Sequence, residues 1–194
     1  MDMFYKKLSL YLSENQNIGK DDEELYEYAT KVVVHGIINI AITILIGILF
    51  GMLKECVCLF ITFFILRKFT GGLHASKYIY CLISSIVFVI LSLFIIKYLE
   101  QNSYHILFLS VLIVSILLIC FFAPVDSKSK KLSIKEKKVY KYFSIILSLI
   151  FLLIVLVLMY KNFIIAYSFG IGVIITSLLL ALAFFKDKLS QIGE

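Results

Sequence analysis

Residues 51–66, with the sequence GMLKECVCLFITFFIL, determine how many times this chain crosses a membrane. The uncharged part of the stretch, residues 56–66, has 11 residues, whereas a helix needs about 20 apolar residues to cross the hydrocarbon core. A span that begins at Gly51 reaches 16 residues, and it then places Lys54 and Glu55 near the membrane surface. The alternative is a re-entrant hairpin, because irregular backbone is tolerated in a membrane where protein shields it.

The composition of the whole chain indicates that lipid is its main solvent. Of the 194 residues, 61% are hydrophobic and 16% are charged, and the mean hydropathy is +1.00. Soluble domains have about 45–50% apolar and about 25% charged residues, so a soluble domain is excluded, as are a disordered chain and a disulfide-rich scaffold. Five further runs have about the length of a membrane helix, namely residues 32–50, 78–96, 104–122, 143–160 and 163–185.

The distribution of lysine and arginine favours six membrane helices over five. If residues 51–66 cross, 16 of the 19 basic residues fall on one side, in residues 1–31, 67–77, 123–142 and 186–194. The cytoplasmic side of a membrane protein carries the excess of positive charge. If the short run does not cross, the segment with seven lysines moves to the other side and the asymmetry disappears. We therefore expect an all-α polytopic fold with about six transmembrane helices and both termini in the cytoplasm.

These boundaries divide the chain into three regions. Residues 1–31 form a cytoplasmic or interfacial N-terminal region, residues 32–185 the six-helix domain, and residues 186–194 a cytoplasmic tail. The first region lacks the apolar core of a signal peptide, and a helix is predicted to begin near Asp21 or Asp22 and to run into the first span. Before it, an amphipathic helix on the membrane surface is predicted from the shared face of Phe4, Leu8, Tyr11 and Leu12.

The positions of most cysteines and histidines indicate a role in packing rather than in catalysis or metal binding. Cys56 and Cys58 are two positions apart, which is not a spacing of zinc ligands, and neither a metal nor a cofactor is expected. Cys120 lies in an apolar run and is expected to pack in the core. His35 and His105 fall near the ends of predicted helices and are interpreted as interfacial histidines.

The segment from Arg67 to Cys81, RKFTGGLHASKYIYC, is where a Gly-Gly pair, a histidine and a cysteine converge. Gly71 and Gly72 allow backbone conformations that are closed to other residues. Cys81 falls within the first turn and a half of the third span, where a helix N-terminus favours the thiolate. A nearby imidazolium at His74, with Arg67, Lys68 and Lys77 as basic neighbours, would favour it further.

The spacing of His74 and Cys81 sets a condition on any joint role. Seven residues place them on one helical face but about 10 Å apart along the axis, whereas a base must come within about 3 Å of the thiol. His74 can act as base for Cys81 if residues 71–76 are not helical, with Ser76 as the N-cap of the next helix. The alternative is that His74 acts on the cysteine of a partner subunit. A chance association of the two residues is the remaining alternative.

The pattern RxxxGGxHAxxxxxC over residues 67–81 resembles the signature of the accessory gene regulator B family. The segment APVD at residues 123–126, followed by a lysine-rich loop, resembles the second cytoplasmic loop of that family. The chain departs from the family in having SKK at residues 129–131 where Asn-Lys-Pro is frequent. It also has Lys31 where the family often has an acidic residue.

The resemblance implies a membrane cysteine endopeptidase of a Gram-positive quorum-sensing system, with Cys81 as nucleophile and His74 as base. Its substrate would be a small propeptide with an amphipathic N-terminal helix, a core that contains a cysteine, and an acidic C-terminal tail. Cleavage would leave the core on the enzyme as a thioester, and attack by the core cysteine, or by a serine in some relatives, would give a cyclic thiolactone or lactone. The resemblance also implies a homodimer, and the pair Gly47 and Gly51 permits the close helix contact that a dimer needs.

The basic residues of the cytoplasmic side have two compatible interpretations. Lys130 and Lys131, within the seven lysines of residues 128–141, would attract an acidic peptide tail or bind anionic lipid. Arg67 would clamp a substrate carboxylate or extend its charge to the membrane surface. Membrane lipid is thus an expected partner, and nucleic acid is not.

Three other functions remain open. A transporter places ionisable residues at mid-membrane in broken helices, whereas this sequence has no Asp, Glu, Lys or Arg at mid-span and only Gly170 and Gly172 suggest a break. The second alternative is a non-enzymatic membrane protein with a basic lipid-binding loop. The third is a different thiol enzyme, such as an acyltransferase that uses Cys120.

Overall fold

The chain is helical throughout most of its described part. The computed structural model describes residues 20–71, 78–102, 104–125 and 133–192, without the side chains of residues 20–28, 78, 187 and 189–192. Two compact units comprise residues 1–42 and residues 43–194. The described helices are α1 (Lys20–Leu49), α2 (Leu53–Thr70), α3 (Tyr78–Asn102), α4 (His105–Phe122), α5 (Ile134–Lys161) and α6 (Phe163–Ile192).

These helices confirm the predicted all-α membrane fold. Their outward faces carry large exposed apolar side chains, such as Ile106 and Phe121, which is expected where lipid is the solvent. The predicted surface helix around Phe4 and Leu12 lies outside the described residues. Five segments are long and apolar enough to cross a membrane, namely Ala29–Leu49, Ile79–Asn102, His105–Phe122, Ile134–Lys161 and Phe163–Lys186.

The short run of residues 51–66 forms most of α2, which is a single unbroken helix of 18 residues. At 1.5 Å per residue it is about 27 Å long, close to the roughly 30 Å of the hydrocarbon core. Its charged residues are confined to the ends, with Lys54 and Glu55 at one end and Arg67 and Lys68 at the other. These four charges distinguish α2 from the five apolar segments. An unbroken helix is what a sixth span requires, whereas a re-entrant hairpin needs a turn within the stretch.

One face of α2 is buried, mainly against α6 and α5. Gly47, near the end of α1, also packs on α2, because a Cβ atom there would lie 3.1 Å from the Cβ of Cys56. Gly51 lies beyond the end of α1 with a φ of 67°, so Gly47 and Gly51 do not form a single helix face for a partner. The buried residues of α2 recur every third or fourth position and are Cys56, Leu59, Thr62, Leu66 and Thr70.

Helix α6 is the centre of the unit formed by residues 43–194, because it packs against α2, α3, α4 and α5. Small residues allow helices to approach closely. A Cβ atom at Gly170 would overlap the ring of Phe108, and one at Gly172 would lie 2.8 Å from the Cβ of Thr62. The helix continues unbroken through both glycines. They serve close packing, and the break suggested by the sequence is not observed.

Helix α5 begins nine residues before the apolar run predicted from residue 143. Its start is a capping box, in which the N–H of Glu136 donates to Ser133 Oγ at 3.3 Å and the N–H of Ser133 donates to Glu136 Oε2 at 2.8 Å. The predicted loop 123–142 is therefore shorter than expected. Part of its positive charge lies on the exposed first turns of α5, on Lys135, Lys137, Lys138 and Lys141.

Candidate active site at the end of α2 and the start of α3

The structure places three of the predicted site residues where α2 ends and α3 begins. Arg67 lies in the last turn of α2, Gly71 follows that helix as its C-cap, and Cys81 is the fourth residue of α3. The predicted approach of the imidazole to the thiol stays a prediction, because the residues concerned are not all described. Outside the described residues lie Gly72, His74, Ser76, Lys130 and Lys131.

Cys81 lies in the first turn of α3, which is described from Tyr78 onward. The backbone N–H groups of a first turn have no partner within the helix, and this end of a helix attracts negative charge. The side chain of Cys81 is half-buried, and its backbone carbonyl accepts a hydrogen bond from Ser84 Oγ at 2.9 Å. Cys81 thus has the partial exposure that a reactive thiol requires.

Arg67 lies one residue beyond the apolar segment 56–66, close enough to Cys81 for the two side chains to interact electrostatically when the thiol is ionised. Its Nη1 atom is buried. Because arginine keeps its charge at neutral pH, α2 brings a positive charge toward the thiol. From the sequence, Arg67 is predicted to be a basic neighbour that helps to activate the thiol, and also a substrate clamp or an interfacial residue.

Gly71 connects the end of α2 to the second motif segment, residues 123–126. The two segments form an isolated parallel bridge between Gly71 and Val125, in which the N–H of Val125 donates to the carbonyl of Thr70 at 3.1 Å. Gly71 has a φ of 71°, and a Cβ atom there would overlap the carbonyl oxygen of Val125. The Gly-Gly pair signalled a close approach, but nothing in the sequence identified Val125 as the residue approached.

Aromatic rings fix the last turn of α2 to the start of α5. The ring of Phe69 stacks on Phe143 with 5.2 Å between centroids, and it meets Tyr140 edge-on at 5.9 Å. Such ring pairs are worth about 0.5–1.5 kcal/mol beyond the area that they bury. The exposed lysines at the start of α5 therefore belong to the same end of the molecule as Arg67.

The remaining cysteines and His105 lie apart from this junction in the chain. Cys56 is buried and Cys58 is half-buried, both on α2. Cys120 is half-buried on α4 rather than fully enclosed in the core. The Nδ1 atom of His105 is 2.6 Å from the hydroxyl oxygen of Tyr167, which is completely buried. The imidazole of His105 is thus part of the packing between α4 and α6.

Similarity to known proteins extends over most of the chain. The family model for accessory gene regulator B matches residues 5–180. An AgrB-like protein of Clostridium perfringens strain SM101 is 29% identical over 138 residues, which cover 69% of this chain and 64% of that protein. The accessory gene regulator protein B of Staphylococcus saprophyticus is 26% identical over 158 residues, or 81% and 80% of the two chains. An AgrB-like protein of Listeria innocua is 30% identical over 122 residues, or 61% and 59%.

The extent of these matches differs between relatives. The aligned part of this chain spans less than two thirds of the length of the Clostridium and Listeria proteins. No solved structure matches the chain. The family match, however, includes both motif segments and all of α1 to α5 as well as most of α6. The chain therefore belongs to the accessory gene regulator B family.

Proposed function

We propose that this protein is a membrane cysteine endopeptidase that removes the C-terminal tail of a small propeptide and closes the remaining core into a ring. The observation that carries the proposal is the half-buried thiol of Cys81 in the first turn of α3, within reach of the positive charge of Arg67. Family membership supports a role in accessory gene regulation. The peptidase chemistry and the roles of individual residues are our proposal.

The first step transfers the core of the propeptide to the enzyme. His74 accepts the proton of the Cys81 thiol, and the sulfur attacks the carbonyl carbon of the peptide bond between core and tail. The C–N bond then breaks, and the nitrogen of the tail takes the proton from His74. The tail leaves with a free amino terminus, and the core remains on Cys81 as a thioester.

The second step closes the ring without water. The cysteine of the core loses its proton to His74, and its sulfur attacks the thioester carbonyl. The bond to Cys81 breaks, and Cys81 regains a proton. One thioester replaces another, so ring closure itself needs no external energy source. The product is a cyclic thiolactone, and a serine in the same position of the core would give a lactone.

Substrate binding is assigned to the basic face near the candidate site. The exposed lysines on the first turns of α5, among them Lys135, Lys138 and Lys141, attract an acidic tail. They also bind anionic lipid, which holds the amphipathic part of the propeptide at the same surface. Lys130 and Lys131 are proposed to belong to this face, and the face is proposed to be cytoplasmic because basic residues accumulate on that side.

The packing of α6 weighs against the transporter alternative. In the described part of the chain the fully buried polar side chains are serines and threonines, not ionised groups. Their hydroxyls donate to carbonyls within the same helix, as Thr62 Oγ1 does to Cys58 at 2.8 Å and Thr176 Oγ1 to Gly172 at 2.8 Å. A transport site at mid-membrane typically uses ionisable groups or unwound backbone.

Coexpression with a small propeptide that has an amphipathic start and an acidic tail tests the proposal. We expect the wild-type protein to release the acidic tail, and we expect Cys81→Ala to abolish the release because no other thiol lies in the same position. His74→Ala should reduce the release by about 10²–10⁴-fold, the usual contribution of a general base. Mass spectrometry of the released tail provides the measurement.

Cys120→Ala is the matched control, because Cys120 is also half-buried but lies on α4. It should cleave like the wild type. Membrane levels and gel-filtration profiles of all variants establish that the protein is folded. Undiminished cleavage by Cys81→Ala would contradict the mechanism, and loss of cleavage in Cys120→Ala alone would favour a different thiol enzyme that uses Cys120.

A further inference from the structure

The bridge between Gly71 and Val125 joins two segments that are 54 positions apart in the chain. Before Gly71 lies α2 with Arg67, and His74 follows three positions after it. After Val125 the chain enters the lysine-rich segment. The bridge thus ties the segment that carries the candidate catalytic residues to the segment proposed to attract the substrate tail.

Hydrogen bonds connect the bridge directly to Arg67. The N–H of Val125 donates to the carbonyl of Thr70 at 3.1 Å, and the N–H of Gly71 donates to the carbonyl of Arg67 at 3.2 Å. Arg67 in turn lies close enough to Cys81 to interact electrostatically with its ionised form. Backbone hydrogen bonds therefore connect Val125 to the turn of α2 that carries Arg67.

The bridge is also a place where only glycine fits. The φ of 71° at Gly71 is a left-handed conformation that other residues rarely adopt. In addition, the backbone carbonyl of Val125 occupies the position that a Cβ atom would take. Thr70 and Val125 are both buried beside it. Any side chain at position 71 must therefore push the two segments apart.

We infer that Gly71 and Val125 are positioning residues for the reaction at Cys81. Their bridge holds the last turn of α2 and with it the position of Arg67 beside the start of α3. This inference rests on the proposed function, since it assigns the bridge to that same site. It predicts that opening the bridge changes the reactivity of Cys81 while the fold is retained.

Gly71→Ala tests the inference, with Gly51→Ala as its matched control. Both glycines have positive φ values, 71° and 67°, but a Cβ atom at Gly51 would meet nothing within 4 Å. The control therefore shares the backbone strain and lacks the collision with Val125. Gly71→Ala should lower kcat for tail release by about 10²-fold, as a displacement of about 1 Å in an active site does. KM should change little, and Gly51→Ala should behave like the wild type.

A second readout needs no propeptide. The rate at which iodoacetamide alkylates Cys81 is measured against pH in the purified protein, with peptide mapping to separate Cys81 from the other three cysteines. In Gly71→Ala we expect slower alkylation at neutral pH, because a cation beside a thiol favours the reactive thiolate. If the bridge acts through Arg67, Gly71→Ala should change the alkylation of an Arg67→Gln variant by less than about twofold.

Unchanged alkylation and unchanged kcat in a folded Gly71→Ala variant would overturn the inference. Should that variant fail to fold, hydrogen exchange in the wild type replaces it, and a Val125 amide that exchanges as fast as an unprotected peptide would overturn it equally. Failure of the proposed function can be told apart from failure of the positioning role. If the wild type releases no tail but Gly71→Ala alters alkylation, the positioning role stands and the peptidase does not. If the wild type releases the tail and Gly71→Ala has the same kcat and the same alkylation rate, the peptidase function stands and the positioning role does not.

Discussion

Gly172 lies on α6 where this helix packs closely against α2, with no room for a side chain between the two helices. The nearest atoms to an added Cβ belong to the side chain of Thr62 and the backbone carbonyl of Leu59, and Thr62 is completely buried. A buried backbone carbonyl cannot rotate away as a flexible side chain can. The contact between α2 and α6 therefore depends on the absence of a single methyl group.

Replacement of Gly172 by alanine should destabilise the protein by about 1–3 kcal/mol, the usual cost of overpacking a core. Thermal unfolding in detergent measures the change. Gly36→Ala is the matched control, because Gly36 also lies within a helix but an added Cβ there meets nothing within 4 Å. A Gly172→Ala variant as stable as Gly36→Ala would contradict the packing described for α2 and α6.

At the scale of single residues, the sequence predicted the candidate site only in part. Cys81 at a helix start followed from the apolar run after it, and the Gly-Gly pair indicated a backbone of special conformation. The partner of Gly71 could not be predicted, because Val125 takes part through its backbone, which carries no sequence signal. Arg67 was predicted to be a basic neighbour of the thiol, but the way in which the ends of α2 and α3 meet could not be predicted from the sequence.

Helix α2 is the element on which the number of spans depends. Its charged residues lie at both ends, and its apolar part faces α6 and α5 on one side. Charge sorting predicted that this stretch crosses, although its uncharged part has only 11 residues. In the structure this stretch belongs to an 18-residue helix that includes the charged end turns, and its crossing of the membrane stays a prediction. The start of α5 was predicted too late for the opposite reason, since its first turns are charged and exposed while still helical.

Labelling the two ends of α2 tests whether it crosses the membrane. Single cysteines replace Lys54 and Lys68, both exposed, in a variant without the four native cysteines. We expect an impermeant maleimide to label position 54 from outside intact cells and position 68 only in inverted vesicles. Labelling of both positions from the same side would show a re-entrant or surface helix and would contradict the six-span arrangement.

For the whole molecule, the composition and the spacing of apolar runs were sufficient to predict an all-α membrane protein. Periodicity could not show which helix lies at the centre, because every helix of a membrane protein is apolar on the lipid side as well. Burial of the small residues of α6 reveals it. The unit of residues 43–194 is thus packed around α6, and Arg67 and Cys81 lie where α2 ends and α3 begins.

The proposed mechanism requires that Cys81 carry the core of the propeptide as a thioester, and this species can be trapped. A propeptide whose core cysteine is replaced by alanine cannot close the ring, so the acyl-enzyme should accumulate. After an acid quench, mass spectrometry should find the peptide that contains Cys81 heavier by the mass of the core, and hydroxylamine should remove the addition. Release of the tail without an adduct on Cys81, or with the adduct on another residue such as Cys120, would contradict the account.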